Sequence, residues 1–482
     1  VANARDPRNG FEGATLLENG ADLLDDCEHS LDALLAEGAT YADMKLYAEQ
    51  GTQVALRATS SDVQIFDRSL AVARVVYGKA WGIHVVEKPS KVSIKEACRS
   101  ALKIAKAADS SSILEQPIKL AYAKTVKSQV RHESKVDPLA IEVQTKISLT
   151  EDLGKRIKNH LRKSYAWCEV VYGDALSDFS LTTSEGTQIR ELTPSVDLLI
   201  YVAARSEDII ESASRFLGFT KGYEAIEDID RDGLVEEVSE RALKLAAGKG
   251  LKPDLQGKEQ AIVMNSDCAG AFVHETVGHP AEADFMLEAG SVFQGKIGKQ
   301  VATDDLTVYD DAEMKGQYGS YSYDDEAVEA RRISLIEKGI LRSLLHTRET
   351  ASEMNTQPTG SAHGLTHVPR CLMSNIYIEA RDWKNEELIE ETREGCYIQG
   401  VVRAQSTPME GLFLIQPEST IVIRKGQLQE TIRGARVTGS ALAALKAIDG
   451  IGDKLAMRAT VEKEFNVSDG GPPIKLSSVR LQ

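Results

Sequence analysis

Residues 274–279 read His-Glu-Thr-Val-Gly-His. Two imidazoles and a carboxylate so close together are the side chains of a catalytic zinc site. Neutral imidazole offers a nitrogen lone pair to the ion, and a glutamate beside the first histidine can take a proton from the water the ion activates. His274 and His279 are therefore candidate metal ligands, Glu275 is the candidate general base, and Zn2+ is the expected cofactor. The competing reading makes both histidines hydrogen-bonded core residues and Glu275 an ordinary acid on a helix face.

The spacing is HExxxH, one residue longer than the HExxH of many metallopeptidases. An α-helix turns about 100° per residue, so positions i and i+4 nearly eclipse while i and i+5 lie about 140° apart. Two histidines so placed can share an ion only if the helix takes in an extra residue, as in a π-bulge, or breaks between Glu275 and His279. Gly278 and Pro280 suit such a distortion. Glycine accepts backbone angles that other residues resist, and proline disfavours regular helix at the residue before it. Gln260–Met264 reads as the strand before this helix, with Ser266 or Asp267 as its cap.

Other reactive side chains carry less. His363 and His367 are four residues apart, but Gly364 and Pro369 argue for a loop. Asp324-Asp325-Glu326 reads as a cation ligand set or as a solvated acidic turn. Ser322 and Cys268 have no nucleophile-elbow sequence around them, and no glycine-rich phosphate loop follows a strand.

The elements that must position these residues divide the chain in two. The first part alternates helix and strand. Leu24, Cys27, Leu31, Leu34 and Leu35 predict an amphipathic helix over 16–37. Strands are expected at Tyr41–Ala48, Val54–Ala58, Val63–Asp67, Ala71–Tyr77 and Trp81–Val86, with turns at Glu49-Gln50-Gly51, Ser60-Ser61 and Gly78-Lys79. Ser93-Ile94-Lys95-Glu96 has a capping-box pattern that opens a second helix. Further helices are expected over 138–163 and 228–246, with strands at Tyr165–Tyr172, Asp178–Thr183 and Val196–Ala203 between them. Gly248-Lys249-Gly250-Leu251-Lys252-Pro253 then breaks the pattern, and short β-like segments dominate beyond it. The expected fold is α+β: an N-terminal α/β domain with a mainly antiparallel sheet over 1–249, and a β-rich, barrel-like domain over 250–482 that carries the HExxxH helix.

Composition narrows the class. The chain has 482 residues, 42% hydrophobic and 27% charged, enough for two cores. A formal charge of −16 disfavours phosphate backbones, so no nucleic-acid partner is expected. No apolar run is long enough to span a bilayer, and the first ten residues lack the apolar core of a signal peptide. The six cysteines are scattered with no CxxC pair, which suits a reducing, cytoplasmic setting.

The stretch His274–Asp284, HETVGHPAEAD, resembles the HExxGHxxExD signature of the TldD/PmbA family. Shorter resemblances follow its order along most of the chain. They are Tyr77–Ile83, Ser291–Gly298, Tyr309-Asp310-Asp311, Asp324-Asp325-Glu326 with Ala327 in place of a glycine, Ile336–Leu341, Thr347–Ala351 and Pro358-Thr359-Gly360. The resemblance implies an N-terminal α/β domain, a C-terminal β-rich domain, and cleavage of unstructured peptides by a metal-activated water. It also implies paired subunits, either two copies or one copy with a paralogue that lacks the motif. The active branch takes its third zinc ligand from a cysteine near the C-terminus, and this chain has none after Cys396. Cys396 falls where the family has an aliphatic strand residue and reads as packing. Glu462, Glu464, Asp469, Glu282, His363 and His367 are the alternatives.

The expected function is a zinc-dependent peptidase with Glu275 as general base. A strand-adding β surface would hold an extended peptide through its main chain. Two rival readings stand beside it: a non-catalytic partner of an active paralogue, motivated by the missing cysteine, and an amide hydrolase acting on a small peptide-like metabolite.

Overall fold

The computed structural model describes residues 20–482 apart from 59, 252 and 254. The helix expected from residue 16 is observed as Gly20–Ala36, its first expected residues lying outside those described. Strands are longer than the turn-like residues suggested. Glu49-Gln50-Gly51 lies inside one unbroken strand, Tyr41–Arg57, and the next runs from Ser60 to Tyr77. Gly51 answers a packing need: a Cβ there would run into the Asp174 carbonyl and the Phe66 ring. Tyr165–Thr183 and Gln188–Ser206 are likewise continuous, and Ile209–Phe219 is a strand that the pattern reading did not foresee.

These strands form a seven-stranded sheet in the order 80–87, 60–77, 41–57, 165–183, 188–206, with 127–131 and 209–219 both pairing with 188–206. Each pairing is antiparallel except that of 127–131. Helices Gly20–Ala36 and Lys91–Ser111 cover one part of the sheet, with Leu31, Leu34, Ala97, Ala101 and Ala105 against Met44, Leu46 and Val75. Helix Lys91–Ser111 starts two residues earlier than expected, and its box is formed by Ser90 with Ser93 rather than by Ser93 with Glu96. Helices Val143–Leu161 and Arg231–Ala246 cover the other part through Leu153, Ile157, Val235 and Val238.

Beyond residue 249 the chain builds two further large sheets. In one, strand pairing runs in a ring: 394–407 pairs with 258–264, then 474–481, 437–440, 412–424 and back to 394–407. That closure is the barrel-like feature expected here. The other has the order 340–341, 332–337, 308–311, 375–378, 465–471, 456–462. Helix Ser266–Val273 leaves the end of strand Lys258–Met264, and Phe272 meets Phe413 edge-on at 5.4 Å between ring centroids. A Cβ at Gly270 would lie 2.6 Å from Asp469 Oδ1, so the glycine lets this helix sit against strand Phe465–Gly471. Among the described residues no helix is long and apolar enough to cross a membrane.

Candidate metal centre

The helix that carries the motif is capped by Asn265, whose side chain accepts from Cys268 N–H at 3.0 Å, and not by Ser266 or Asp267. Asp267 instead pairs with Arg215. Regular α-helix ends at Val273, and His274–Gly278 is a π turn. The His279 N–H donates to the His274 carbonyl, five residues back. The extra residue brings the two imidazoles side by side, with centroids 4.8 Å apart and planes at 82°. Gly278 has φ −58° and ψ −67°, angles open to any residue. Its need is steric: a Cβ there would overlap Met373 Sδ.

His274 is buried. Its Nδ1 has no hydrogen-bond partner and stands 3.5 Å from Asp469 Oδ2. Burial, then the neighbouring His279, Arg458 and Lys463, push its pKa well below the usual histidine range. The ring is thus neutral, the form that ligates metals. His279 Nδ1 lies 3.1 Å from Glu282 Oε1. Burial works against its charged form, but the hydrogen bond and charge of Glu282, together with the charge of Glu275, outweigh it and raise the pKa. A carboxylate on Nδ1 fixes the ring and leaves Nε2 as the free nitrogen. Glu275 is buried, and burial raises its carboxyl pKa against the opposing pull of His279 and Ser406. The Ser406 hydroxyl donates to Glu275 Oε2 at 2.7 Å.

Among the described residues, His274, His279 and Glu462 form a trio whose ligand atoms lie within 4.8 Å of one another. Two ligands of a tetrahedral ion at about 2.1 Å stand roughly 3.4 Å apart, so small side-chain rotations would close this set. Two nitrogens and one oxygen also match a known catalytic zinc donor set, so the residues present fit the ion. The side chain of His279 is 16% exposed and Glu462 is half-buried, which keeps the trio reachable.

The other candidates for the third place are exposed or engaged with other partners. Glu464 is exposed, and Asp469 is held by Arg458 at 2.9 and 2.5 Å. Glu282 stands behind His279. His363 lies 3.3 Å from the Tyr321 hydroxyl, and exposed His367 turns its Nδ1 to the Val368 carbonyl. Cys396 is buried on strand Glu394–Thr407 and packs in the core with Ile398 and Val422. Asp324 and Glu326 are buried, so the acidic run is not a solvated turn; Asp324 accepts from the N–H groups of Glu326, Val328 and Ala362.

Sequence reasoning missed Ser406 and Met373, which no local motif marks. Ser406 also lines a cleft of about 610 Å³, together with Gln405, Thr407 and Phe413; neither histidine lines it.

Comparison with known proteins gives the family. Residues 257–482 match the C-terminal domain of the PmbA/TldA metallopeptidases, and 136–246 match their central domain. A metalloprotease of Methanocaldococcus jannaschii is 33% identical over 441 residues, covering 90% of this chain and 92% of its own. A zinc metalloprotease TldD homolog of Saccharolobus solfataricus is 25% identical, covering 92% of this chain and 97% of its own. The crystal structure of TldE from Thermococcus kodakarensis shares the fold, with a TM-score of 0.77 at 16% identity over 95% of this chain and 99% of that one. The HExxxH π turn, the sheet architecture and these matches together make the chain a member of the TldD/PmbA metallopeptidase family.

Proposed function

We propose that this chain is a zinc-dependent peptidase that cleaves unstructured peptides, with His274 and His279 as ligands and Glu275 as general base. The observation that carries the reading is the π turn. It sets two buried-side imidazoles together and keeps a carboxylate on the residue between them. A zinc ion, when bound, would supply Lewis acidity toward the scissile carbonyl and toward water. Glu275 accepts the proton of the attacking water and returns it to the leaving amine. Ser406 holds Oε2 of that carboxylate, so Oε1 is the oxygen left for the proton. Glu282 holds His279 by Nδ1 and orients the ring.

Two further expectations belong to this reading. The chain works in the cytoplasm, divided near residue 249 into its two domains, and it pairs with a second copy or with a paralogue. The pairing is supported by the likeness to TldE, and light scattering on the purified chain, alone and mixed with a paralogue, tests it. The site itself is tested by elemental analysis. The purified protein is expected to carry up to one zinc per chain and to cleave an unstructured peptide, and His274→Ala to lose both while its circular dichroism is unchanged. Equal zinc in the two forms would place the metal elsewhere.

A further inference from the structure

Two imidazoles do not complete a zinc site, since catalytic sites hold the ion with three protein ligands. The trio described above takes its third member from strand Ala456–Glu462, far along the chain. Glu462 pairs with Phe465 across a two-residue turn. Both turn residues are left-handed, Lys463 with φ 50° and Glu464 with φ 72°. Hairpins of this kind favour Asn-Gly, because residues with a Cβ resist such angles. The tip is therefore held in place by something other than its own backbone preference.

Two contacts hold it. Lys463 Nζ reaches Glu282, at 3.1 Å from Oε1 and 2.9 Å from Oε2. Oε1 of the same carboxylate meets His279 Nδ1. On the other flank the Phe465 ring packs on His363, with centroids 4.8 Å apart. His363 belongs to a segment tied down at Gly364, whose carbonyl accepts from Lys45 and whose N–H donates to Asp325, each at 2.6 Å. One carboxylate, Glu282, thus joins both arms of the trio: it orients His279 directly and secures Glu462 through Lys463.

We propose that the 456–471 hairpin is the third arm of the metal centre: Glu462 supplies an oxygen ligand where the family's thiolate is expected, and the Lys463–Glu282 ion pair sets its position. This rests on the metal reading of His274 and His279. The donor set becomes two nitrogens and one oxygen, which lacks the thiolate's preference for soft ions. Lys463 and Glu282 are positioning residues.

The test uses the full chain loaded with Co2+. It reads the cobalt absorption spectrum and the affinity by competition with a chromophoric chelator, and circular dichroism verifies the fold of each variant. The wild-type chain is expected to bind Co2+ without a thiolate-to-cobalt charge-transfer band. Glu462→Cys is expected to bind it with that band present, a signature that arises only if residue 462 enters the coordination sphere. Glu462→Ala should lose at least tenfold in affinity. Lys463→Ala should lose about 10–100-fold, the usual effect of removing an outer-shell partner, and Lys463→Arg should recover most of it. If Glu462→Ala binds as tightly as wild type, or Glu462→Cys binds Co2+ without the band, the third-arm proposal falls while the two-histidine reading stands. If the folded wild-type chain binds no Co2+, the metal reading itself falls.

Discussion

Ser406 and Glu275 divide one task in the proposed mechanism. The hydroxyl fixes one carboxylate oxygen, and on that reading the other is left to move a proton. Gln at 275 keeps the shape and can still accept from Ser406, but it cannot take the proton. Glu275→Gln is therefore expected to retain wild-type zinc, by elemental analysis, and to lose about 10²–10⁴-fold in kcat on an unstructured peptide. Unchanged turnover would remove Glu275 from the mechanism. Ser406→Ala should act more mildly. A hydrogen bond to a charged group contributes about 1.5–3 kcal/mol, so a fall in kcat of about tenfold or more is expected, with zinc content unchanged. These roles differ in legibility. Glu275 is read from its neighbour His274, whereas Ser406 arrives on a distant strand that no local pattern connects to the helix.

At the scale of the element, a shared ion on HExxxH requires either a π turn or a break between Glu275 and His279, and the π turn is what is observed over His274–Gly278. The reason for Gly278 was not legible. Its backbone is ordinary, and what excludes a side chain is Met373, from a segment packed on the turn. Gly278→Ala should therefore overpack the site, costing about 1–3 kcal/mol, with loss of zinc. Met373→Ala alone should cost about 2–5 kcal/mol through its cavity. The double variant should be more stable than the sum of the singles and should regain zinc. A double-mutant cycle by denaturant titration measures this coupling, and strict additivity would return the explanation to backbone angles.

Across the whole molecule, buried charges join the first sheet to the second half of the chain. Arg74 forks onto Asp43 at 2.8 and 2.7 Å and also donates to the Asp325 carbonyl, and Lys45 pairs with Asp325. Removing one partner of a buried pair leaves the other uncompensated, so Lys45→Met should cost about 3–5 kcal/mol. Thermal unfolding would show it, and because Lys45 also holds Gly364, the His363 segment should loosen with it. Asp310 adds a pH dependence. Burial pushes its carboxyl up from 3.8 to about 7, against hydrogen bonds from Ser374. The folded form then holds its proton where the unfolded chain has lost it. Its contribution to stability is full below pH 3.8 and is lost as the pH rises through about 7. Asp310→Asn keeps the shape without the ionisation, so it should flatten this fall and be at least as stable as wild type at pH 8. A wild-type stability profile that rises steadily from pH 4 to pH 7, unchanged in the variant, would contradict the assignment.

What the sequence by itself determined is what neighbours along the chain can decide. His274, Glu275 and His279 lie within six residues, so their candidacy as a metal site, and the distorted helix that a shared ion would require, are legible from spacing alone. The helices expected over 138–163 and 228–246 are observed over Val143–Leu161 and Arg231–Ala246, and they follow from apolar periodicity. Only the tertiary structure groups Glu462 with the two histidines, because that grouping depends on the register of a hairpin. Strand Phe465–Gly471 pairs in parallel with Asn375–Ile378 and antiparallel with Ala456–Glu462, and sliding either pairing by one residue would turn Glu462 away from the histidines. That register is set by side chains from several distant segments meeting at once, and no stretch of sequence read alone contains it.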